Sequence, residues 1–367
     1  MQVGDISFRN TIKKLNIMKD TKNIKTLPVL LILSLLGMVS CKNDAITFPD
    51  YGKTACYFPY QSPARTLILG KYDVGINTND NNHNFEIGAE MTGVYSNTKD
   101  RKVYFKVDGS LLNGVTNVTS LPTAYYTVQT TSPAIIPAGS TNAIISIHLN
   151  DAFFNDPKSI APTQNTNFVV PVVISSVEGL DSILVGTPAS GITAPRMAVL
   201  TDWNVQPKNF TLFGIKFINK YHGNYLRRGV DSLSTMVGGV YTYNSLVAYH
   251  APYVERDEVT MLTTSAKDSV SLSNTIRRAV GGNAGTLNMK LGFDASGNCV
   301  VINAATKLPI GTGTFKDNGD MCGGKAQDVI YLKYSYIDAV NNQKHSVRDT
   351  LVIRDRAIVF ETFMIVN

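Results

Sequence analysis

Short runs of β-branched and aromatic residues, broken every few positions by Gly, Asn, Asp or Pro, limit the fold of this chain more than any other feature. Such runs predict strands joined by turns. About seven strands within roughly 130 residues are typical of a β-sandwich. In the first half of the chain they fall at residues 55–59, 66–69, 84–90, 102–107, 125–129, 143–149 and 168–175.

The second half continues the same pattern after a polar, turn-prone segment at residues 219–229. Only a short stretch near residues 151–154 resembles a helix, whereas a parallel doubly wound sheet needs helical crossovers. We therefore predict an all-β chain, with a β-sandwich followed by an antiparallel β-sandwich or barrel. The strands predicted in the second half are residues 210–218, 241–249, 255–263, 269–272, 286–293, 300–303, 329–337 and 350–363.

The N-terminus has the pattern of an export signal. Three lysines follow Met18, and residues 27–39 form a largely apolar stretch of thirteen residues that ends before Cys41. A membrane-spanning helix needs about 20 such residues, so the length favours a signal peptide. We predict residues 1–40 as the signal, with Met18 as the true start. Small residues before Cys41 indicate a lipobox and lipidation of that cysteine; the alternative is a plain secretory signal.

The charge balance argues against nucleic acid as a partner. The formal net charge is +6, but residues 1–40 hold six basic and two acidic residues. The rest of the chain has 28 basic and 26 acidic residues, a net charge of +2. A nearly neutral surface does not favour a polyanion.

Motifs of common enzymes and cofactor sites are absent from the sequence. It has no GxSxG, HExxH, GxxxxGK[ST] or strand-following GxGxxG pattern. Glu86 and Glu90 share one face of a predicted strand, which is weak support for a glycosidase pair that must lie across a cleft. We expect no catalytic residues, no cofactor and no metal site.

The densest aromatic and polar cluster lies in residues 221–229. Tyrosine and tryptophan offer flat apolar faces with polar tips, which suits sugars, and arginine adds forked donors. The alternative is a structural segment with its tyrosines in the core and an arginine paired to an acid, and with Trp203 packed between domains. The candidate glycan-binding residues are Trp203, Tyr221, His222, Tyr225, Arg227 and Arg228.

The cysteines beyond Cys41 leave two interpretations open. Cys299 and Cys322 both lie beside turn residues in the same half of the chain, so they are candidates for one disulfide. Buried free thiols are the alternative. A zinc site is not expected, because there is no CxxC pair and the histidines are scattered.

Several short motifs occur in the order found in a known family. The first half resembles the N-terminal immunoglobulin-like module of many Bacteroidetes surface lipoproteins, and the second half resembles the C-terminal domain often paired with it. The first group of motifs is YFPYQ at 57–61, TLILG at 66–70, FEIGA at 85–89, IPAG at 136–139, DAFF at 151–154 and FVVP at 168–171. The second is PKNFTLFG at 207–214, followed by YHGNYLRRG at 221–229.

The resemblance implies an immunoglobulin-like β-sandwich at residues 41–204 and a β-rich glycan-binding domain at 205–367. It implies a non-catalytic lipoprotein of the outer membrane, facing the cell exterior and encoded in a glycan-utilisation locus. Its partners would be an oligosaccharide or polysaccharide and the outer-membrane transporter complex of that locus, with the membrane reached by the lipid anchor only. The alternative is a structural or adhesive surface subunit that binds no sugar.

Overall fold

Buried and exposed side chains alternate along most strands of the computed structural model, which describes residues 50–160, 166–277, 285–358 and 361–367. In the strand Asn84–Thr92, for example, Phe85, Ile87, Ala89 and Met91 are buried and the residues that alternate with them are more exposed. The predicted signal peptide and Cys41 lie outside the described residues.

The first module is a sandwich of two sheets. One sheet has the strand order β10-β1-β3-β8-β6, and the other contains β2-β13-β9-β4-β7 with β5 beside β9. Strands β11 and β12 form a separate two-stranded ribbon, and the short helices α1 (Thr78–Asn81) and α2 (Asp151–Asn155) fill turns. The predicted sandwich and the helix near residue 151 are thus confirmed. The strands are β1 (Ala55–Tyr57), β2 (Pro63–Ile68), β3 (Asn84–Thr92), β4 (Arg101–Val107), β5 (Thr119–Ser120), β6 (Tyr126–Val128), β7 (Ala134–Ile136), β8 (Asn142–Leu149), β9 (Phe168–Glu178), β10 (Ser182–Ile183), β11 (Thr187–Pro188), β12 (Trp203–Val205) and β13 (Phe210–Ile218).

The sandwich core lies between the two sheets, and aromatic rings fill one end of it. Phe154 packs against Phe153 and Phe217, with ring centroids 5.1 Å apart in both pairs. The first seven residues of β9 are buried on both faces of the sheet. Val170 joins this core, while Val169 and Val173 face a second apolar cluster behind the sheet. This double burial explains why the β9 sequence reads as a continuous apolar run.

Strand β13 belongs to the sandwich. It pairs antiparallel with β9 and parallel with β2. Ile215 and Phe217 enter the inter-sheet core, while Phe210 and Leu212 face the cluster behind the sheet. The first module therefore extends to Ile218, beyond the predicted boundary at residues 204 and 205.

The second module is an eight-stranded antiparallel barrel, the second of the two predicted alternatives. Its strands follow the order β14-β16-β17-β18-β19-β20-β21-β22, and a long pairing between β22 and β14 closes the ring. Strand β15 pairs with the second half of β14 as an added hairpin. The C-terminal β23 (Glu361–Thr362) returns to pair with β2 of the sandwich. The other strands are β14 (Gly223–Val237), β15 (Val240–Tyr249), β16 (Glu258–Ala266), β17 (Ser269–Thr275), β18 (Thr286–Phe293), β19 (Asn298–Asn303), β20 (Pro309–Cys322), β21 (Lys325–Asp338) and β22 (Gln343–Asp355).

Arg356 joins the two modules. Its guanidinium donates to the carbonyl oxygens of Leu69 and Lys71, at 3.0 and 2.7 Å, in the sandwich. It also donates to those of Asn219 and His222, at 2.7 and 2.8 Å, where the chain enters the barrel. One buried side chain thus satisfies acceptors in both modules. The residues from Asp50 to Asn367 form one compact unit.

Candidate functional site

Tyr221 and Tyr225 lie in the barrel core. They are 1% and 0% exposed. The Tyr221 ring stacks on Phe293 with centroids 3.7 Å apart, and the Tyr225 hydroxyl donates to the carbonyl of Tyr221 at 3.0 Å. Burial raises the pKa of both phenols. These two rings present no face to a ligand outside the barrel. They are core residues, which is the alternative that the sequence left open for this segment.

His222 is held at the junction between the modules. Its Nδ1 accepts a hydrogen bond from the backbone N–H of Thr264 at 3.0 Å, and its carbonyl accepts from Arg356. Burial lowers the pKa of His222 to about 4, assisted by the charges of Arg356 and Lys216. The imidazole is therefore neutral at neutral pH, and its hydrogen bond to Thr264 helps to hold the chain at the junction.

Arg227 points into the barrel, where it forms part of a buried polar network. Its Nε donates to Asp349 Oδ2 at 3.1 Å, and the hydroxyl of Tyr334 donates to the same oxygen at 2.8 Å. The Tyr249 hydroxyl donates to the other oxygen of Asp349. Burial alone lowers the pKa of Arg227, but the charge of Asp349 outweighs that effect and the pKa is raised. The network is internally satisfied, as expected of a structural one.

Arg228 and Trp203 lie elsewhere on the molecule. Arg228 faces away from the barrel interior, and its Nε donates to Asp257 at 2.5 Å. Trp203 lies in the β11–β12 ribbon, and its indole N–H donates to the carbonyl of Arg196 at 2.9 Å. The six sequence-predicted residues thus divide between core, junction, barrel wall and ribbon, and they do not form one surface.

Cys299 and Cys322 are free thiols in the structure. Cys299 faces the barrel interior and is 3% exposed, and burial raises its pKa to about 12. Cys322 ends β20, at a hairpin whose Gly323 N–H donates to Glu255 at 2.6 Å. Neither residue is in a disulfide. The alternative of a buried free thiol describes Cys299, whereas Cys322 is a free thiol that is only half-buried.

The outer face of the barrel is grooved along β20. At Gly311 and Gly313 the positions that would point into the barrel carry no side chain. A Cβ on Gly313 would lie 2.6 Å from Leu332 Cδ2 and 2.7 Å from Cys299 Sγ, and one on Gly311 would lie 2.5 Å from the Tyr334 Cα. The two glycines therefore let the β20 backbone approach the core directly, and the outer surface is recessed there.

Two adjoining cavities of about 860 and 650 Å³ occupy this recess. Both are lined by Thr312, Lys333 and Arg348, so we describe them together as the β20 groove. Pairing across β19 to β22 places Asn298, Thr314, Tyr331 and Thr350 in one row and Val300, Thr312, Lys333 and Arg348 in the next. The second cavity adds a further row, which consists of three serine hydroxyls followed by one leucine: Ser335, Ser346, Ser232 and Leu246.

The chemistry of the groove combines an aromatic ring, hydroxyls and cations. Tyr331 is half-buried, with the Lys316 ammonium 5.8 Å from its ring centroid. Both carboxylates in the lining already accept hydrogen bonds from other groups of the protein. Asp349 belongs to the internal network, and Asp294 accepts from the backbone N–H groups of Ser296 and Asn298 at 2.9 Å each. Such a lining can hold a polar ligand but offers no free carboxylate pair for hydrolysis.

The sequence reasoning missed this groove because it did not assign β20 as a strand. The residues from Gly311 to Thr314 alternate glycine with threonine, and glycine lowers strand propensity. The feature of the sequence that indicates a strand here is the alternation itself, which puts Thr312 and Thr314 on one face and Gly311 and Gly313 on the other.

Metal and membrane features are limited in the described part of the chain. Within residues 50–160, 166–277, 285–358 and 361–367, no group of three or more His, Cys, Asp or Glu side chains is placed to hold a metal ion. In the same ranges, no helix is both long enough and apolar enough to cross a membrane.

Two family descriptions match the two modules. Residues 51–181 match a family described as "-like, N-terminal domain", and residues 220–357 match one described as "Domain of unknown function (DUF5627)". The second match begins after β13, in agreement with the extent of the sandwich. No curated protein matches the chain.

A solved structure from Bacteroides resembles most of this chain. A crystal structure of a protein of unknown function from Bacteroides ovatus has 32% identity and a TM-score of 0.74, and the match covers 85% of this chain and 97% of that one. An auxiliary nutrient binding protein from Bacteroides thetaiotaomicron has 12% identity and a TM-score of 0.34, with 79% and 90% covered.

Proposed function

The chain belongs to the same family as the Bacteroides ovatus protein of unknown function, and on that premise we propose that it is a non-catalytic glycan-binding protein of the bacterial cell surface. The observation that carries the proposal is the β20 groove. It is the recess in which two large cavities adjoin, and it is open to solvent along the outer face of the barrel.

The groove has the mixture of groups that a sugar chain requires. A pyranose presents C–H faces to be covered and hydroxyls to be hydrogen-bonded. Tyr331, Val300 and Leu246 supply apolar surface, and a row of serine and threonine hydroxyls runs between them. Lys333 and Arg348 supply charged donors. An elongated groove also suits a polymer, because a chain can enter and leave at both ends.

The sandwich would present the barrel to the medium. Lipidation at Cys41 would hold the N-terminus at the outer membrane, since each buried methylene of an acyl chain contributes about 0.8 kcal/mol. The Arg356 junction would keep the barrel fixed on the sandwich, which thereby serves as a rigid spacer. A bound glycan would then be passed to a transporter complex in the same membrane.

A structural or adhesive role is the second candidate, and strand β15 favours it. This ten-residue strand lies at the end of the second module's sheet, with β14 as its neighbour among the described residues. An exposed edge of this kind can accept a strand from another chain. Size-exclusion chromatography separates the candidates, because strand addition predicts oligomers and glycan capture by the groove predicts a monomer.

Affinity electrophoresis tests the proposed function. The protein is run in native gels that contain host or plant glycans, beside a Tyr331→Ala variant and a Tyr243→Ala control. Tyr243 is 64% exposed and lies on β15, outside the groove lining. We expect at least one glycan to retard the wild type and the control, and to retard Tyr331→Ala less. If no glycan retards the wild type, the proposal is wrong.

A further inference from the structure

Two cations face each other at the middle of the β20 groove. Lys333 on β21 and Arg348 on β22 are directly paired across the two strands. Both side chains are exposed, and neither makes an ion pair with a residue in the described part of the chain. Like charges directly opposite each other destabilise a sheet. The pairing of Lys333 with Arg348 is therefore unfavourable for the sheet.

The position of the pair connects it to the groove. Lys333 and Arg348 are two of the three residues shared by both cavities, and the third is Thr312. Their row continues to Val300 on one side and Val230 on the other, so it contains no acid. Of the two carboxylates of the lining, Asp349 is paired with Arg227 inside the barrel. Asp294 accepts from backbone N–H groups of its own turn, and within the described residues it makes no ion pair with Lys333 or Arg348.

We propose that the β20 groove selects acidic glycans, with a carboxylate or sulfate group seated between Lys333 and Arg348. This inference rests on the proposed function. The guanidinium of Arg348 can bind two oxygens of one anionic group, and the Lys333 ammonium adds a point charge from the facing strand. Tyr331 lies on the same strand as Lys333, two residues away, so it can cover the sugar ring next to the charged one.

Matched polysaccharides test the selectivity. Affinity gels contain either polygalacturonate or its methyl ester, which share a backbone and differ in charge. A second pair, chondroitin sulfate and chemically desulfated chondroitin, separates sulfate from carboxylate recognition. The variants are Lys333→Gln and Arg348→Gln, and the control is Lys344→Gln. Lys344 is an exposed lysine on the same strand as Arg348, outside the groove lining.

We expect at least one acidic polymer to be retained about tenfold more strongly than its less charged partner, as for loss of a charged hydrogen bond. Each groove variant should lose most of that difference, the control should keep it, and added salt should reduce it. If the members of each pair retard the wild type equally and the groove variants behave like the wild type, acid selectivity is overturned. Retention of a neutral glycan that is lost in Tyr331→Ala would then leave the proposed function standing, whereas no retention on any glycan would overturn both.

Discussion

Arg227 and Asp349 form an ion pair inside the barrel, with Nε of the arginine 3.1 Å from Oδ2 of the aspartate and both side chains almost fully buried. Two tyrosine hydroxyls complete the hydrogen bonds of the carboxylate. The pair explains how a strand with charged residues on its inner face can line a barrel. It also shows that a polar run in the sequence need not mark a surface.

The first prediction concerns this pair. Asp349→Asn removes the charge that compensates Arg227 and keeps the size of the side chain. We expect the free energy of unfolding, measured in urea, to fall by about 3–5 kcal/mol, because a buried cation is left unpaired. The control is Glu178→Gln, which breaks the exposed pair with Lys102 and should leave the free energy of unfolding almost unchanged. Equal effects of the two variants would contradict a buried role for Asp349.

The second prediction concerns the junction. Arg356→Met leaves four carbonyl oxygens, two in each module, without their buried donor. We expect a loss of about 3 kcal/mol and a separation of sandwich and barrel unfolding into two transitions in calorimetry. Arg354→Met is the matched control, since its side chain is 53% exposed. A single, unshifted transition in Arg356→Met would show that the junction does not depend on this side chain.

The third prediction concerns pH. Burial lowers the pKa of His222 to about 4, whereas a histidine in the unfolded chain titrates near 6.5. Between these values the unfolded chain binds the extra proton, so the contribution of His222 to stability is lost as pH falls from about 6.5 to about 4. The loss is on the order of 3 kcal/mol. Urea midpoints measured across this window should decline less steeply in His222→Asn than in the wild type.

The exposed His250 supplies the control for the pH experiment. His250→Asn should follow the wild-type curve throughout. If His222→Asn follows it too, His222 is not the group responsible for the acid loss of stability.

The fourth prediction concerns the recess itself. Gly313→Ala places a methyl group against Leu332 and the Cys299 sulfur, so β20 must move outward. We expect a loss of about 1–3 kcal/mol from overpacking and weaker retention on any glycan that the wild type binds. Gly88→Ala, a strand glycine with open space around its Cβ position, should change stability by about 0.5 kcal/mol or less. Unchanged stability of Gly313→Ala would contradict the close approach of β20 to the core.

The sequence predicts a strand well where one face of the strand is apolar and the other is exposed to solvent. Strands such as β4, β8 and β13 follow from their alternation or apolar runs, and the sandwich follows from them. The strand β14 is harder to predict from the sequence, because residues 219–229 have a polar, turn-prone composition. Its inward positions include Arg227 and Asp231, and their charges hide the period-two pattern.

The groove could not be deduced from local sequence. Its lining comes from β14, β15 and the strands from β18 to β22, and Lys333 and Arg348 meet only through the β21–β22 register. The tyrosines at residues 221–229 are ambiguous in the sequence, because tyrosine suits both a sugar-binding surface and a core. Burial distinguishes these uses, and burial of Tyr221 depends on Phe293 and Phe315, which lie more than 70 residues away.

A crystal structure of the protein soaked with the oligosaccharide that retains it most strongly tests the central claim most directly. The account predicts electron density for the sugar along β20, with a ring against Tyr331 and polar groups within hydrogen-bond distance of Lys333 or Arg348. Density that lies instead on the sandwich, on the β11–β12 ribbon beside Trp203 or at an open end of the barrel would contradict it.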